Sequence, residues 1–157
     1  MIPFTVSSPN YGLADQKEDP WGGGCVTISG PSNEAAREWY QKNQMPVIAY
    51  SSLGRGLLSG ILRSDEIKKA AEIMDGAAMK GYVYPENFER LRRCERLAKE
   101  KNMTVAQIAM AFIFNQKLNT LAVVSTSRPS CMKENIEASE LLLTEQELKY
   151  LDLQIDI

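Results

Sequence analysis

The stretch that decides the fold is Pro46-Val47-Ile48-Ala49-Tyr50-Ser51-Ser52-Leu53-Gly54-Arg55-Gly56-Leu57. Its first half is a short, continuous apolar run, and its second half is a loop of small residues around one arginine. A continuous rather than alternating run predicts a strand covered on both faces, as in parallel sheets. Leu121-Ala122-Val123-Val124-Ser125 has the same form and runs into Thr126-Ser127-Arg128-Pro129. Phe4-Thr5-Val6-Ser7-Ser8, stopped by Pro9-Asn10, predicts a further strand. Cys25-Val26-Thr27-Ile28-Ser29 reads either as a fourth short strand or as irregular loop.

Helix signals fill the intervals. Ser32 is expected to cap a helix running to about Lys42. Ser64 is expected to cap a second, with Asp65 and Glu66 suiting its dipole and Gly76 lying beyond its end. Pro85 stands where a third would open, with Phe88, Leu91, Cys94 and Leu97 at helical spacing. Thr104-Val105-Ala106-Gln107 and Thr144-Glu145-Gln146-Glu147 have the capping-box form. Residues 12–24, rich in glycine and charge, are expected to form a long surface loop. Helices between most strands define an α/β class with a parallel sheet. Three or four strands are too few to close a (β/α)8 barrel, which takes about 250 residues. Open sheet edges invite pairing with another chain. The chain is therefore expected to be part of a longer protein, or to associate with its own copies.

Composition narrows the function. The 157 residues are 44% hydrophobic and 24% charged, and length and balance both fit one globular domain, 1–157. A net charge of −2 argues against a nucleic-acid partner held by bulk electrostatics. Arg90, Arg92, Arg93 and Arg96 alternate with Glu86, Glu89 and Glu95, which predicts a solvated helix face. No apolar run approaches the roughly 20 residues of a membrane span, and the first residues predict no signal peptide. The three cysteines are far apart and there is no histidine, so a mixed Cys/His zinc site is excluded. Reduced thiols in a cytoplasmic protein are expected.

Two loops carry chemistry. In the first, glycines permit close approach of backbone N–H groups to an anion, Ser51 and Ser52 add hydroxyls, and Arg55 adds a fork suited to phosphate. Alone, this is also the pattern of a turn with a solvated charge. The second, Ser125-Thr126-Ser127-Arg128, leads into a helix opened by Pro129, whose unpaired N–H groups make a second anion site or simply a capped helix end. The loops follow successive strands with one helical region between, so in a barrel they would lie side by side at the strands' carboxyl ends. Tyr50, at the first strand's end, either stacks on a flat heterocycle or plugs the barrel mouth. Trp21 either walls a substrate pocket or packs its loop down. Trp39 and Tyr40 are expected as core or interface contacts, and Met74, Met79 and Met110 as gap-fillers.

At these residues the chain resembles the aldo-keto reductase family. Pro46 to Gly60, PVIAYSSLGRGLLSG, is similar to the segment written as an aromatic, S-P-L-G-R-G and then T/S-G. Val124 to Leu141, VSTSRPSCMKENIEASEL, resembles the family's closing cofactor segment, and Thr104 to Asn115, TVAQIAMAFIFN, its T-x-A-Q-x-A helix. Tyr82 to Asn87 and Thr144 to Leu153 are also similar to family stretches.

The resemblance implies the C-terminal portion of a (β/α)8 TIM barrel, about three βα units plus C-terminal helices, incomplete as an isolated chain. It implies NADP(H) as cofactor, with Tyr50 stacking on nicotinamide. Ser51, Leu53, Gly54 and Arg55 then match the loop over the pyrophosphate. Thr126, Ser127 and Arg128 match the turn for the adenosine 2′-phosphate, and Glu134 with Asn135 the pair holding adenine.

The chain also departs from the family. Ser8 stands where the family has a nicotinamide-binding Gln, Cys131 where it has a long Arg or Gln, Ser52 where it has Pro, and Ser125 where it has Gly or Lys. A hydroxyl cannot reproduce an amide's paired donor and acceptor. The family's Asp-Tyr-Lys-His tetrad belongs to earlier strands, and no residue here matches it, so the 157 residues alone are expected to reduce nothing. Expected partners are a nicotinamide dinucleotide and either the remainder of the barrel or another copy. The alternative is a non-catalytic nucleotide-sensing or interaction module of the same origin.

Overall fold

The computed structural model describes residues 3–126 and 128–156. The fold-deciding stretch forms β1, Val47–Ala49, and the second apolar run forms β2, Thr120–Ala122. They pair in parallel with Val47 beside Thr120, Ile48 beside Leu121 and Ala49 beside Ala122. Each is three residues long, shorter than its apolar run. Phe4 to Ser8 does not form a strand. It makes a parallel bridge at Ser7, whose N–H donates to the Pro46 carbonyl and whose carbonyl accepts from the Ile48 N–H, at 2.9 and 2.8 Å. Asn10 then bridges both Tyr50 and Thr27 in parallel. Four segments thus lie side by side in the order 25–29, 7–10, β1, β2.

Helices cover one face of this array. Val47 and Ala49 are fully buried, and on the same side the Ser7 hydroxyl meets the Tyr40 hydroxyl at 2.7 Å. That contact comes from α1, Glu34–Asn43, which follows a 3₁₀ turn at Pro31–Asn33 and shows no side-chain cap, Ser32 included. The opposite face is open: Val6, Leu121 and Val123 are exposed, the last two by 58% and 51%. The expectation of strands covered on both faces is therefore corrected. Side chains alternate across a strand, and among the described residues those pointing away from the helices have nothing over them.

The second expected helix is broken. Ser64 does not cap it. Its hydroxyl donates to Glu95 Oε2 at 2.5 Å, and a 3₁₀ turn at Ile67–Lys69 leads into the short α2, Ala70–Ile73. Gly76 is not beyond a helix end but opens α3, Gly76–Tyr82, which is capped by the Asp75 carboxylate accepting from the Ala78 N–H. Asp75 is the better N-cap residue by chemistry.

The remaining helices follow the sequence closely. Pro85 is the first residue of α4, Pro85–Lys101, which Asn102 ends in the left-handed conformation. Both capping boxes are formed, at Thr104 for α5, Val105–Phe114, and at Thr144 for α7, Glu145–Leu151. In each the threonine hydroxyl accepts from the third helical N–H, and the Gln107 or Glu147 side chain accepts from the threonine N–H. Between them lies α6, Pro129–Ala138. Apolar almost throughout, α5 packs against α4, α6 and β2, and Ile108, Ala109, Ala111 and Ile113 are wholly buried. Each large aliphatic side chain so buried contributes about 2 kcal/mol. Met74 and Met110 are buried in the same core, with Met79 half-buried against it.

The arginine-rich face of α4 is solvated only in part: Arg92 and Arg96 are exposed, as the mixed charges suggest. Arg90 and Arg93 are buried. Arg93 donates to Glu89, to the carbonyls of Tyr150 and Ile155, and to Asp156, all within 2.8 Å, with its guanidinium over the Tyr150 ring. Arg90 meets Asp152 at 3.2 Å. Arg92 and Arg93 together hold the Glu89 carboxyl down to about 2. A long aliphatic stem lets an arginine cross apolar surface to fixed acceptors, so this face anchors the C-terminal segment.

The expected 12–24 loop divides in two. Residues 12–16 are buried, and the exposed part begins at Lys17. Asn10 organises the buried part. Its amide donates to the Tyr50 carbonyl and the Tyr82 hydroxyl, and its side-chain oxygen accepts from the Thr27 and Ser29 hydroxyls. Replacing Asn10 with Ala takes a hydrogen bond from each of four partners, of which Tyr82 and Ser29 are buried. Urea unfolding is expected to show a loss of about 3 kcal/mol, and an unchanged midpoint would contradict this account.

Candidate functional site

Both chemistry-bearing loops leave the carboxyl ends of neighbouring parallel strands. The Val123 N–H donates to the Ala49 carbonyl at 2.8 Å. The Ser52 hydroxyl lies 3.4 Å from both the Ala49 and Val123 carbonyl oxygens, spanning the gap between the two strand ends. The first loop rests on the buried segment before it. A Cβ on Gly12 would meet the Ser52 carbonyl oxygen at 2.7 Å, and one on Gly54 would meet Ala14 Cβ at 3.0 Å.

Within the first loop, the Gly54 and Gly56 N–H groups donate back to Ser51 and Leu53, and Leu58 N–H also donates to Leu53. Those amides close a 3₁₀ turn at Gly54–Gly56 instead of facing outward. Leu53 packs against the core. Ser51 and Arg55 adopt left-handed backbones, with φ of 54° and 53°. Among the described residues three other non-glycine residues do so, and all sit just past helix ends: Gln44, Asn102 and Leu153. Without that excuse, strain of about 1 kcal/mol at each points to a functional position.

Arg55 has a partner that the sequence reading did not name. Its Nε and Nη2 meet the two Asp75 carboxylate oxygens at 3.3 and 2.5 Å, and the Trp21 ring lies over the guanidinium at 4.9 Å. Arg55, together with the Ala78 N–H, holds the Asp75 carboxyl below the usual carboxylate range. The signal was Asp75 itself, a good N-cap residue immediately before a helix, overlooked because Gly76 reads as a stop. Tyr50 is half-buried at the end of β1. Burial, with a hydrogen bond to Cys25 second, pushes its hydroxyl up to about 12.

In the second loop, the Arg128 N–H donates to the Thr126 hydroxyl at 3.1 Å. Arg128 is the N-cap residue of α6, with Pro129 at the first helical position. Among the described residues, no carboxylate forms an ion pair with Arg128. Ser127 lies outside the described residues. Glu134 and Asn135, farther along α6, are half-buried, and Glu134 Oε2 accepts from the Thr104 hydroxyl at 3.4 Å. Tyr50, Ser51 and Arg55 thus share one strand end with Thr126 and Arg128 on its neighbour, while Glu134 and Asn135 lie beyond the α6 N-terminus. Among the described residues, no helix is long and apolar enough to cross a membrane, and no cluster of metal-ligating side chains occurs.

Known proteins resemble the chain in sequence and in fold. The sequence pattern of the Aldo/keto reductase family matches residues 31–155. The chain is 23% identical over 159 residues to the L-glyceraldehyde 3-phosphate reductase of Escherichia coli (strain K12), covering 98% of this chain and 42% of that protein. It is 31% identical over 114 residues to a putative aryl-alcohol dehydrogenase of Schizosaccharomyces pombe, covering 71% of this chain and 31% of that protein. Among solved structures, the thermostable aldo-keto reductase Tm1743, crystallised with the inhibitor epalrestat, superposes with a TM-score of 0.58 at 24% identity. That likeness in fold covers 97% of this chain and 40% of the other.

The class is an α/β protein of aldo-keto reductase fold, its few strands consistent with part of a barrel. The chain belongs to the aldo/keto reductase family. It spans less than half the length of these relatives.

The Arg55–Asp75 contact makes a stability prediction. Asp75→Ala removes a helix cap as well as an exposed ion pair and is expected to cost about 1 kcal/mol in urea unfolding. Arg55→Gly loses the pair and the exposed Trp21 ring contact but relieves the left-handed backbone, so it is expected within about 0.5 kcal/mol of the unaltered chain. The reverse order would contradict the assignment of Asp75 as the cap.

Proposed function

We propose that the whole chain, as one domain, is the NADP(H)-binding C-terminal portion of a (β/α)8 aldo-keto reductase. The observation that carries this reading is the adjacency of the two arginine-bearing loops across the Ser52 hydroxyl. Tyr50 would stack on the nicotinamide. Ser51, Leu53, Gly54 and Arg55 would line the diphosphate, and Thr126, Ser127 and Arg128 the 2′-phosphate. Glu134 and Asn135 would hold the adenine.

The fit is uneven. Arg128 stands at the start of a ten-residue helix, where dipole and open N–H groups favour an anion. Arg55 already carries Asp75, so it contributes directed hydrogen bonds and little net charge. When bound, the dinucleotide supplies hydride to a carbonyl carbon of an aldehyde or ketone. The proton must come from an acid beside the carbonyl oxygen, a role no residue here is assigned, so this chain alone is inactive. Three unpaired cysteines support a reducing, cytoplasmic setting.

Fluorescence titration with NADPH tests this. Arg128→Ala is expected to weaken binding at least about tenfold and to flatten its salt dependence. Arg55→Ala is expected to weaken it about fivefold with the salt dependence kept. Unchanged affinity in both variants would remove the two-loop site.

The open sheet face and the exposed Phe4, Leu121 and Val123 further support association, either with the rest of a barrel or with a second copy. Sedimentation of the isolated chain is expected to show concentration-dependent self-association. A folded monomer at high concentration would count against it.

A further inference from the structure

The exposed segment from Asp19 to Cys25 touches the first loop at both of its functional ends. Asp19 closes the segment on itself, its carboxylate accepting from the Trp21 and Cys25 N–H groups at 2.7 and 3.1 Å. The tip is Gly22, Gly23 and Gly24, with φ of 88°, 133° and 95° and open space where each Cβ would stand. A side chain at any of the three would strain the turn, so the tip is built to project from the body.

At one end the Trp21 ring, 57% exposed, covers the face of the Arg55 guanidinium. At the other, Cys25 lies beside Tyr50, where burial and then the neighbouring thiol raise the Tyr50 hydroxyl, and the Cys25 N–H closes on the Asp19 carboxylate. Asp75 holds one edge of the guanidinium and Trp21 one face, which fixes its plane and leaves the opposite edge for a ligand.

We propose that the Asp19–Cys25 loop is the outer wall of the dinucleotide site: Trp21 contacts the diphosphate stretch held by Arg55, and Cys25 stands at the wall's Tyr50 end. This rests on the cofactor reading above and adds to it a contact from a loop outside both anion-binding turns. The competing role for Trp21 is shielding the Arg55–Asp75 pair, which would matter to folding and not to one ligand over another.

The test uses the full 157-residue chain carrying Trp39→Phe, which leaves Trp21 as its single indole. NADPH is expected to quench Trp21 emission, because dihydronicotinamide absorbs where indole emits, and to slow alkylation of Cys25, with buried Cys94 as the internal reference. Trp21→Ala is expected to weaken NADPH about fivefold while leaving adenosine 2′,5′-bisphosphate unchanged, since that fragment would meet the Thr126–Arg128 turn and the Glu134–Asn135 pair but not the loop at Arg55. Trp21→Phe should restore most of the affinity.

Equal weakening of both ligands by Trp21→Ala would assign a merely structural role and overturn the proposal. NADPH binding that depends on Arg128 but leaves Trp21 emission, Trp21→Ala affinity and Cys25 alkylation unchanged would overturn the wall and leave the cofactor reading standing. Failure of the unaltered chain to bind either ligand would overturn the cofactor reading, and the wall with it.

Discussion

The buried amide of Asn10 is the contact on which the rest of the site depends. A side-chain amide has two donor and two acceptor positions, and here all four are used, on Tyr50, Tyr82, Thr27 and Ser29. Its backbone joins the same elements, donating to Val26 and accepting from Ile28. One residue therefore ties the end of β1 to α3 and to the start of the segment leading into α1. Inside a protein such a network is worth more than its separate bonds, and an unmet member costs more than in water. The backbone at Tyr50 is held by this knot, since the Tyr50 carbonyl is one of its acceptors.

A second constraint follows from the sheet's geometry. Three-residue strands held to one layer of helices bury Val47 and Ala49 and leave Leu121 and Val123 bare. The chain packs a complete core on one side and presents an apolar sheet face on the other. That asymmetry explains why the supporting parts of the site lie beneath the loops, in Gly12, Ala14 and Tyr82.

What the sequence made legible was local. Pro85, Thr104 and Thr144 fixed helix starts because their chemistry acts within four residues, and the Phe88–Leu97 stripe named its own buried face. What it hid was pairwise and distant. Arg90 and Arg93 looked solvated because their partners, Asp152 and Asp156, lie some sixty positions on. Asp75 was passed over because Gly76 stops one helix as readily as it starts another. Phe4 to Ser8 has a strand's composition, yet its ladder on the β1 side is confined to isolated bridges. Of the site, the loops themselves were readable, whereas the internal use of the Gly54 and Gly56 amides was not. Glycine permits close approach of a ligand and tight turning of the chain by the same freedom.

The two arginines, alike in sequence, are unlike in physics. Arg55 is held in a left-handed backbone, paired with Asp75 and covered by Trp21, so its cation is largely cancelled but its direction is fixed. Arg128 stands at a helix start with its backbone tied to Thr126 and its charge uncompensated among the described residues. A fixed neutral pair discriminates by shape and contributes little attraction at a distance, whereas a free cation at a helix N-terminus attracts any anion and selects weakly. A site that must draw in a multiply charged dinucleotide and then hold it in one register needs both functions. Neither arginine can supply both, because the contact that orients Arg55 is the one that neutralises it.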